Sequence, residues 1–329
     1  MSARFAFACG ALAAAILAAT ASDQRPQAAP DPMAAGAGPT VAARPAAVRS
    51  TGHAPAESDC TPQNRRTSLR PQGTLPEPGR MPAGSTMARI AQRGHLIVGI
   101  AQDAYPLAFR DRDLTLAGFD IDIARDITEA ITGDRERVVF RPNPVAGRLE
   151  PVRSGQFDLV VAATTITCPR REKVDFSAVY YEATQRLLVN RGSGTTGLDD
   201  LRGKRVCAVR GTTTLGRILA DPSKPIPVGQ PSTSDCLMLL QLGEADAVSS
   251  DDTQLAGMAA QDSRTEIVGP QLSEEPYGIA ISKDHPDLVR FVNGVLERRV
   301  QDGRWLASYQ RWLTLLGPPP SPPTPQYRD

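Results

Sequence analysis

Residues 157–171 read "FDLVVAATTITCPRR". A strand-length apolar run breaks into three threonines, Thr164, Thr165 and Thr167, and then into a cysteine, a proline and two arginines. An apolar run bounded in this way is a buried strand. In open α/β sheets the loop that leaves the carboxyl end of such a strand faces the ligand crevice. Three uses are open for a loop rich in hydroxyls and guanidinium groups: it holds an anion, it anchors a turn, or it decorates a surface.

The segments on either side favour the α/β reading. "STMARIAQRG" reads as a short helix capped by Ser85 and stopped by Gly94, followed by a buried strand in "HLIVGIA". "GFDIDIARDITEAI" places Phe119, Ile123, Ile127 and Ile131 on one helical face, with Asp120 as a candidate cap. "RVVFRP" is a strand, and a short helix runs through "AGRLEPVRSG". Further on, "KRVCAV" and "ADAVSS" are strands, while "TTTLGRILA", "TSDCLMLLQLG" and "DDTQLAGMAAQ" are helices. Residues 285–316 make two helices that meet near Gly303. Strands alternating with helices predict largely parallel sheets. The alternation runs twice, over residues 95–184 and 203–269, with the extended "YYEATQRLLVNRG" between, so two α/β lobes are expected.

Outside this core the composition changes. The first residues, "MSARFAFACGALAAAILAATAS", have the pattern of a secretory signal, with cleavage after Ala21. Cys9 precedes most of the apolar run, whereas an acylated cysteine follows one, so Cys9 is read as part of that run. Residues 22–83 hold 11 of the 29 prolines and show no apolar period, which predicts a disordered spacer. The tail, 318–329, is Pro-rich and extended. The expected organisation is a signal peptide over 1–21, a spacer over 22–83, one lobe from 84–184 plus 278–317, a second over 185–277, and the tail.

The net charge of +1 gives no field suited to nucleic acid. Of the 37 basic residues 33 are arginine, so no arginine is singled out without a position to justify it. Beyond Cys9 there are four cysteines, Cys60, Cys168, Cys207 and Cys236; in an exported chain an even number predicts two disulfides. With no CxxC pair and three histidines, no metal site is expected. GxSxG, HExxH and Walker motifs are missing, and no histidine stands beside a nucleophile, so the sequence favours binding over turnover, with no cofactor.

Three polar loops follow strand ends: "ATTITCPRR", "VRGTTT" and "SSDDT". The second opens a helix, where free N–H groups favour an anion. Each taken alone reads as a turn or a cap. Together they suit one small zwitterion.

In order along residues 94–316, "GFDIDIARDI", "FDLVVAATTIT…RREKVDFS", "GKRVCAVRGTTT", "ADAVSSDDT", "PYGIAIS" and "VNGVLERRVQDGRWLASYQRWL" resemble the family 3 solute-binding proteins of amino-acid ABC transporters. The cysteines of "RVCAVRG" and "SDCLMLL" and the Pro-rich ending look especially like the actinobacterial glutamate/glutamine-binding lipoproteins. The resemblance implies a two-lobed periplasmic-binding-protein-like fold (type II) with the ligand cleft between the lobes. It puts the ligand α-carboxylate on Arg170, helped by Thr165 and the backbone around Ala163. The ammonium falls to Asp251, and the second-lobe loop is Gly211, Thr212 and Thr213. For the ligand side chain, Asp103, Tyr105, Arg148 and Arg210 are candidates, with glutamate, glutamine, aspartate and asparagine all open. Where the family writes "TDER" this chain has "TCPR", which keeps the arginine in register.

The implied protein is an exported monomer outside the membrane, lipid-anchored or secreted. It hands its amino acid to an ABC permease or reports it to a membrane receptor; the same fold also carries dehydratases. Hinges are expected at residues 180–184 and 276–280. Cys207 lies in a second-lobe strand and Cys236 in a helix packing back across that sheet, so these two are expected to pair. Cys60 and Cys168 are left to pair or stay free.

Overall fold

The computed structural model describes residues 60–329; the expected leader, Cys9 and the spacer up to residue 59 lie outside the described residues. The first strand, β1 (Ser68–Leu69), leads to α1 (Thr86–Arg93). Ser85 caps this helix by accepting the Ala88 N–H at 3.0 Å, and Gly94 stops it in the left-handed region at φ 87°. After β2 (Leu96–Ile100) a small hairpin, β3 (Phe109–Arg110) and β4 (Leu116–Ala117), precedes α2 (Phe119–Thr132). Then come β5 (Val138–Pro142), α3 (Glu150–Arg153), β6 (Leu159–Val160), α4 (Cys168–Arg171) and β7 (Asp175–Phe176).

The second run starts with β8 (Tyr181–Asn190) and β9 (Arg205–Val209), and continues through α5 (Thr213–Ala220), β10 (Ile226–Gln230) and α6 (Thr233–Gln241). It ends with β11 (Ala247–Asp251), α7 (Asp252–Gln261) and the long β12 (Thr265–Tyr277). The chain then returns through β13 (Ala280–Ile281), α8 (Pro286–Gln301), α9 (Arg304–Trp312) and β14 (Tyr327–Arg328).

These strands build two five-stranded sheets, ordered β5-β2-β6-β13-β7 and β10-β9-β11-β8-β12. In the first, β2 lies parallel to β5 and β6, while β13 is antiparallel to β6 and β7. In the second, β9 lies parallel to β10 and β11, and β8 runs antiparallel to β11 and β12. Both sheets are thus mixed rather than largely parallel, because strands that cross between the lobes enter each from the opposite direction. The predicted stripe of α2 is the core of the first lobe: Phe119, Ile123, Ile127 and Ile131 are buried against Leu288, Val292, Trp305 and Tyr309. Burying each such side chain contributes about 1.5–3 kcal/mol.

Two further expectations are corrected. Asp120 does not cap α2; the cap is Gly118 at φ 128°, where a Cβ would run into the Leu107 carbonyl. Residues 60–83 are not a disordered spacer. Leu75 packs against Gly294, and β1 pairs in parallel with β14, Ser68 opposite Tyr327 and Leu69 opposite Arg328. Their order comes from contacts with distant residues, which composition does not report.

Cys60 is bonded to Cys168 and Cys207 to Cys236, with Cα–Cα distances of 5.4 and 5.5 Å. Cys207 and Cys236 are fully buried beside Leu240 and Val248. Replacing both with serine reopens a loop spanning 29 residues, which in the chain-entropy model costs about 3–4 kcal/mol. Denaturant unfolding should show the midpoint falling accordingly; an unshifted midpoint would show that the bridge adds nothing to the lobe.

Candidate functional site

Local backbone chemistry fixes the loop between β6 and α4. Ala163 sits at φ 45°, a costly conformation for a residue with a side chain. The buried Asp120 holds it there, accepting the Ala163 N–H at 3.0 Å and the Tyr180 hydroxyl at 3.0 Å. Burial pushes the Asp120 carboxyl up to about 7, against the pull of these two donors. Next, Ile166 N–H donates to Pro276 and Gly278 N–H to Thr164, which makes Thr165 and Tyr277 a bridge. Thr165 occupies its non-hydrogen-bonded position, so its own N–H and C=O turn away from the partner strand.

Thr167 then caps α4 by accepting the Arg170 N–H. Pro169 falls in the first turn, where a missing N–H costs nothing, so the "TCPR" variation leaves the arginine where the helix needs it. Arg170 donates from Nη1 to the Thr165 carbonyl at 2.7 Å and from Nη2 to the Gly211 carbonyl at 3.3 Å, reaching from the first lobe to the second. Burial lowers its pKa, opposed by the charges of Glu275 and Asp251.

On the second lobe Gly211 turns at φ 80°, and Thr212 caps α5 by accepting the Leu215 N–H at 3.1 Å. That leaves the first-turn N–H groups of Thr213 and Thr214 without helical partners. Asp251 ends β11 as the cap residue of α7, but makes no side-chain cap bond; instead its Oδ2 accepts the Tyr277 hydroxyl at 2.6 Å. Burial and then the charge of Glu275 raise its carboxyl to about 7.

Arg170, Thr165, Ala163, Thr212, Thr213 and Asp251 all line one cavity of about 480 Å3. Its size falls within the roughly 300–1,000 Å3 of small-molecule sites. Arg148 and Asp103 line it too. Arg148 is buried, with Nη1 on the Ala162 carbonyl at 2.6 Å and on Thr164 Oγ1 at 3.3 Å, and burial with the neighbouring Arg170 charge lowers its pKa to about 10. Asp103 is exposed at the rim.

Two candidate side-chain readers lie elsewhere. Tyr105 packs edge-on against Phe109 at 4.8 Å and faces a neighbouring crevice with Thr233 and Met258. Arg210 is exposed and folds over Gly229 on the outer strand β10. Gly211 takes part through its carbonyl alone.

Sequence reasoning missed a carboxylate that ties these loops together. Glu275 is 2% exposed, and its Oε2 accepts Thr165 Oγ1 from the first lobe and Thr213 Oγ1 from the second, each at 2.7 Å. Its Oε1 accepts Ser273 Oγ at 2.7 Å. A glutamate in "SEEPYGIA", alternating with residues that face inward, was the available signal. Asp120 gave one too, since it shares a helical face with Ile123 and Ile127.

A two-lobed α/β fold with a guanidinium and a carboxylate lining one cavity is the build of a small-molecule receptor. The chain belongs to the bacterial extracellular solute-binding proteins, family 3, matched over residues 96–315, and so is an exported protein. The ABC transporter glutamine-binding protein GlnH of Bacillus subtilis (strain 168) is 31% identical over 244 residues, 74% of this chain and 89% of that protein. The glutamate-binding protein GluB of Corynebacterium efficiens is 30% identical, covering 73% of this chain and 85% of its own length. A solved ancestral arginine-binding protein bound to glutamine is 34% identical with a TM-score of 0.63, covering 67% of this chain and 98% of that one. Among the described residues no helix is long and apolar enough to cross a membrane.

Glu275→Leu strands the Thr165 and Thr213 hydroxyls, while Ser273 Oγ keeps Gln185 Oε1 as acceptor at 3.0 Å, and an unsatisfied buried polar group costs about 1–3 kcal/mol. Chemical denaturation should show a loss of at least that size, with Glu275→Gln, which keeps an acceptor for the two threonines, losing less. Equal stability of all three proteins would remove Glu275 from the centre of the site.

Proposed function

We propose that this protein binds a polar L-amino acid of the glutamate, glutamine, aspartate and asparagine class outside the cytoplasm, as a monomer, and delivers it unchanged to an ABC permease. The observation that carries the reading is the pairing of Arg170 with Asp251 across one cavity. The Arg170 guanidinium suits an α-carboxylate, which it can grip through two parallel charge-assisted bonds. The free N–H groups at the start of α5 and the N–H of Thr165 supply further donors to the same oxygens. Asp251 suits the ammonium. Thr165 and Thr213 have committed their hydroxyl protons to Glu275, so both oxygens are left as acceptors, which favours the ammonium as well.

For the side chain, Arg148 is the buried donor that lines the cavity, with Asp103 at the rim. A second guanidinium favours the acidic members of the class. The names of the GlnH and GluB relatives support the same class. Closure would pivot about residues 180–184 and 276–280, where the chain passes between the lobes and a few residues can absorb the rotation.

Arg170→Ala is expected to fold and to lose about 2–5 kcal/mol of affinity for L-glutamate, the cost of truncating one partner of a buried charge pair. An unchanged dissociation constant by calorimetry would refute the clamp. The Asp251 carboxyl, held up near 7, also sets a pH dependence. Below about 7 the empty site keeps the proton, and binding an ammonium requires its release. Affinity should therefore be highest above pH 7 and fall as pH drops through 6 and 5, approaching tenfold per unit for one linked proton. A flat profile from pH 5 to 8 would take Asp251 out of the ammonium site.

A further inference from the structure

Residues 60–70 form an arm that touches the back of the cleft at two places. At the first, α4 carries two neighbouring arginines with opposite duties. Arg170 faces the cleft, bonding Thr165 and Gly211, whereas Arg171 donates from Nη1 to the arm carbonyls of Arg65 at 3.0 Å and Thr67 at 2.6 Å. Cys168, at the start of the same helix, is bonded covalently to Cys60 of the arm. Only Pro169 separates the disulfide from the cleft arginine in sequence.

At the second place, β12 carries two neighbouring glutamates whose side chains leave the strand on opposite faces, as the pleat requires. Glu275 points inward and gathers Thr165 and Thr213. Glu274 points outward and accepts Arg66 Nη2 of the arm at 2.8 Å. The other fork of Arg66, Nη1, reaches Glu182 on β8 at 3.0 Å. The arm is thereby fastened to both strands that cross between the lobes. Its far end is held on the first lobe: Ser68 Oγ donates to the Phe176 carbonyl at 2.7 Å, and Asn293 Nδ2 donates to Ser68 Oγ at 2.8 Å and to the Leu69 carbonyl at 2.7 Å.

We propose that this arm is an allosteric element coupled to the cleft, so that its grip on α4 and the crossing strands sets ligand affinity, and ligand binding in turn tightens the arm. The coupling runs through two adjacent-residue pairs, Arg170 with Arg171 and Glu275 with Glu274. Each pair is rigid, being part of a helix turn or a strand, so a displacement on the cleft side moves the arm side. Reciprocity follows from linkage: whatever the arm adds to ligand affinity, the ligand adds to the arm's stability. The proposal rests on the amino-acid reading of the cleft.

The test uses the full chain with L-glutamate and L-glutamine as probes. Hydrogen exchange of residues 61–70 is followed with and without each probe, and affinities are measured for the parent chain, for Arg66→Ala, and for Cys60→Ser combined with Cys168→Ser. The expected result is slower exchange in the arm on binding, and affinity reduced about fivefold or more in both variants, in keeping with the usual size of allosteric coupling. If the parent chain binds but its arm exchanges at an unchanged rate and both variants bind equally well, the coupling is overturned while the amino-acid reading stands. A lower unfolding midpoint with full affinity in the variants overturns the coupling too, since the arm would then only stabilise the fold. If the parent chain binds neither probe, the amino-acid reading fails and the coupling with it.

Discussion

The cleft depends on where the Arg170 guanidinium is held. Its two ends rest on carbonyls from different lobes, Thr165 and Gly211, so its position defines the distance between them. A half-buried guanidinium bonded to carbonyls still carries a full charge, and the surrounding carboxylates Asp251 and Glu275 are what make that charge tolerable. The carboxylates are themselves crowded, and Asp251 is raised by burial and by Glu275. An occupant that brings a negative group to Arg170 and a positive group to Asp251 relieves both strains at once, which gives a zwitterion an advantage over a simple anion or cation.

The supporting framework explains why this arrangement does not collapse. Asp120 pins the strained Ala163, Thr167 starts the helix that carries Arg170, and Glu275 fastens the two threonine loops from behind. Each of these residues acts on backbone or hydroxyl groups rather than on the cavity. The site is therefore preorganised by buried hydrogen bonds whose loss would be felt first in geometry.

Much of this was legible in the sequence because it is local. The stripe of Phe119, Ile123, Ile127 and Ile131, the Ser85 and Gly94 punctuation of α1, and the polar loops at strand ends all follow from short-range periodicity and capping. The resemblance carried Arg170, Thr165 and Asp251 to their loops, and the structure gathers them around one cavity. What stayed hidden rests on contacts between distant positions. Glu275 meets Thr165 across 110 residues and Thr213 across 62. The order of residues 60–83 depends on a disulfide spanning 108 residues and on Arg66 reaching residues 116 and 208 positions away. A Pro-rich composition without apolar period gives no hint of such partners. Tyr105 and Arg210 stand near the right loops in sequence, yet their side chains leave the loop on the other side.

The claim that the cleft reads both ends of an α-amino acid is tested most directly by deleting one end of the ligand at a time. Calorimetric titrations of the purified chain would compare L-glutamate with glutarate, which lacks the ammonium, and with 4-aminobutyrate, which lacks the α-carboxylate. If Arg170 and Asp251 act as argued, L-glutamate binds and each analogue binds on the order of 100-fold more weakly or worse, because each leaves a buried charge unpaired. Binding of either analogue within a few-fold of L-glutamate would contradict the account.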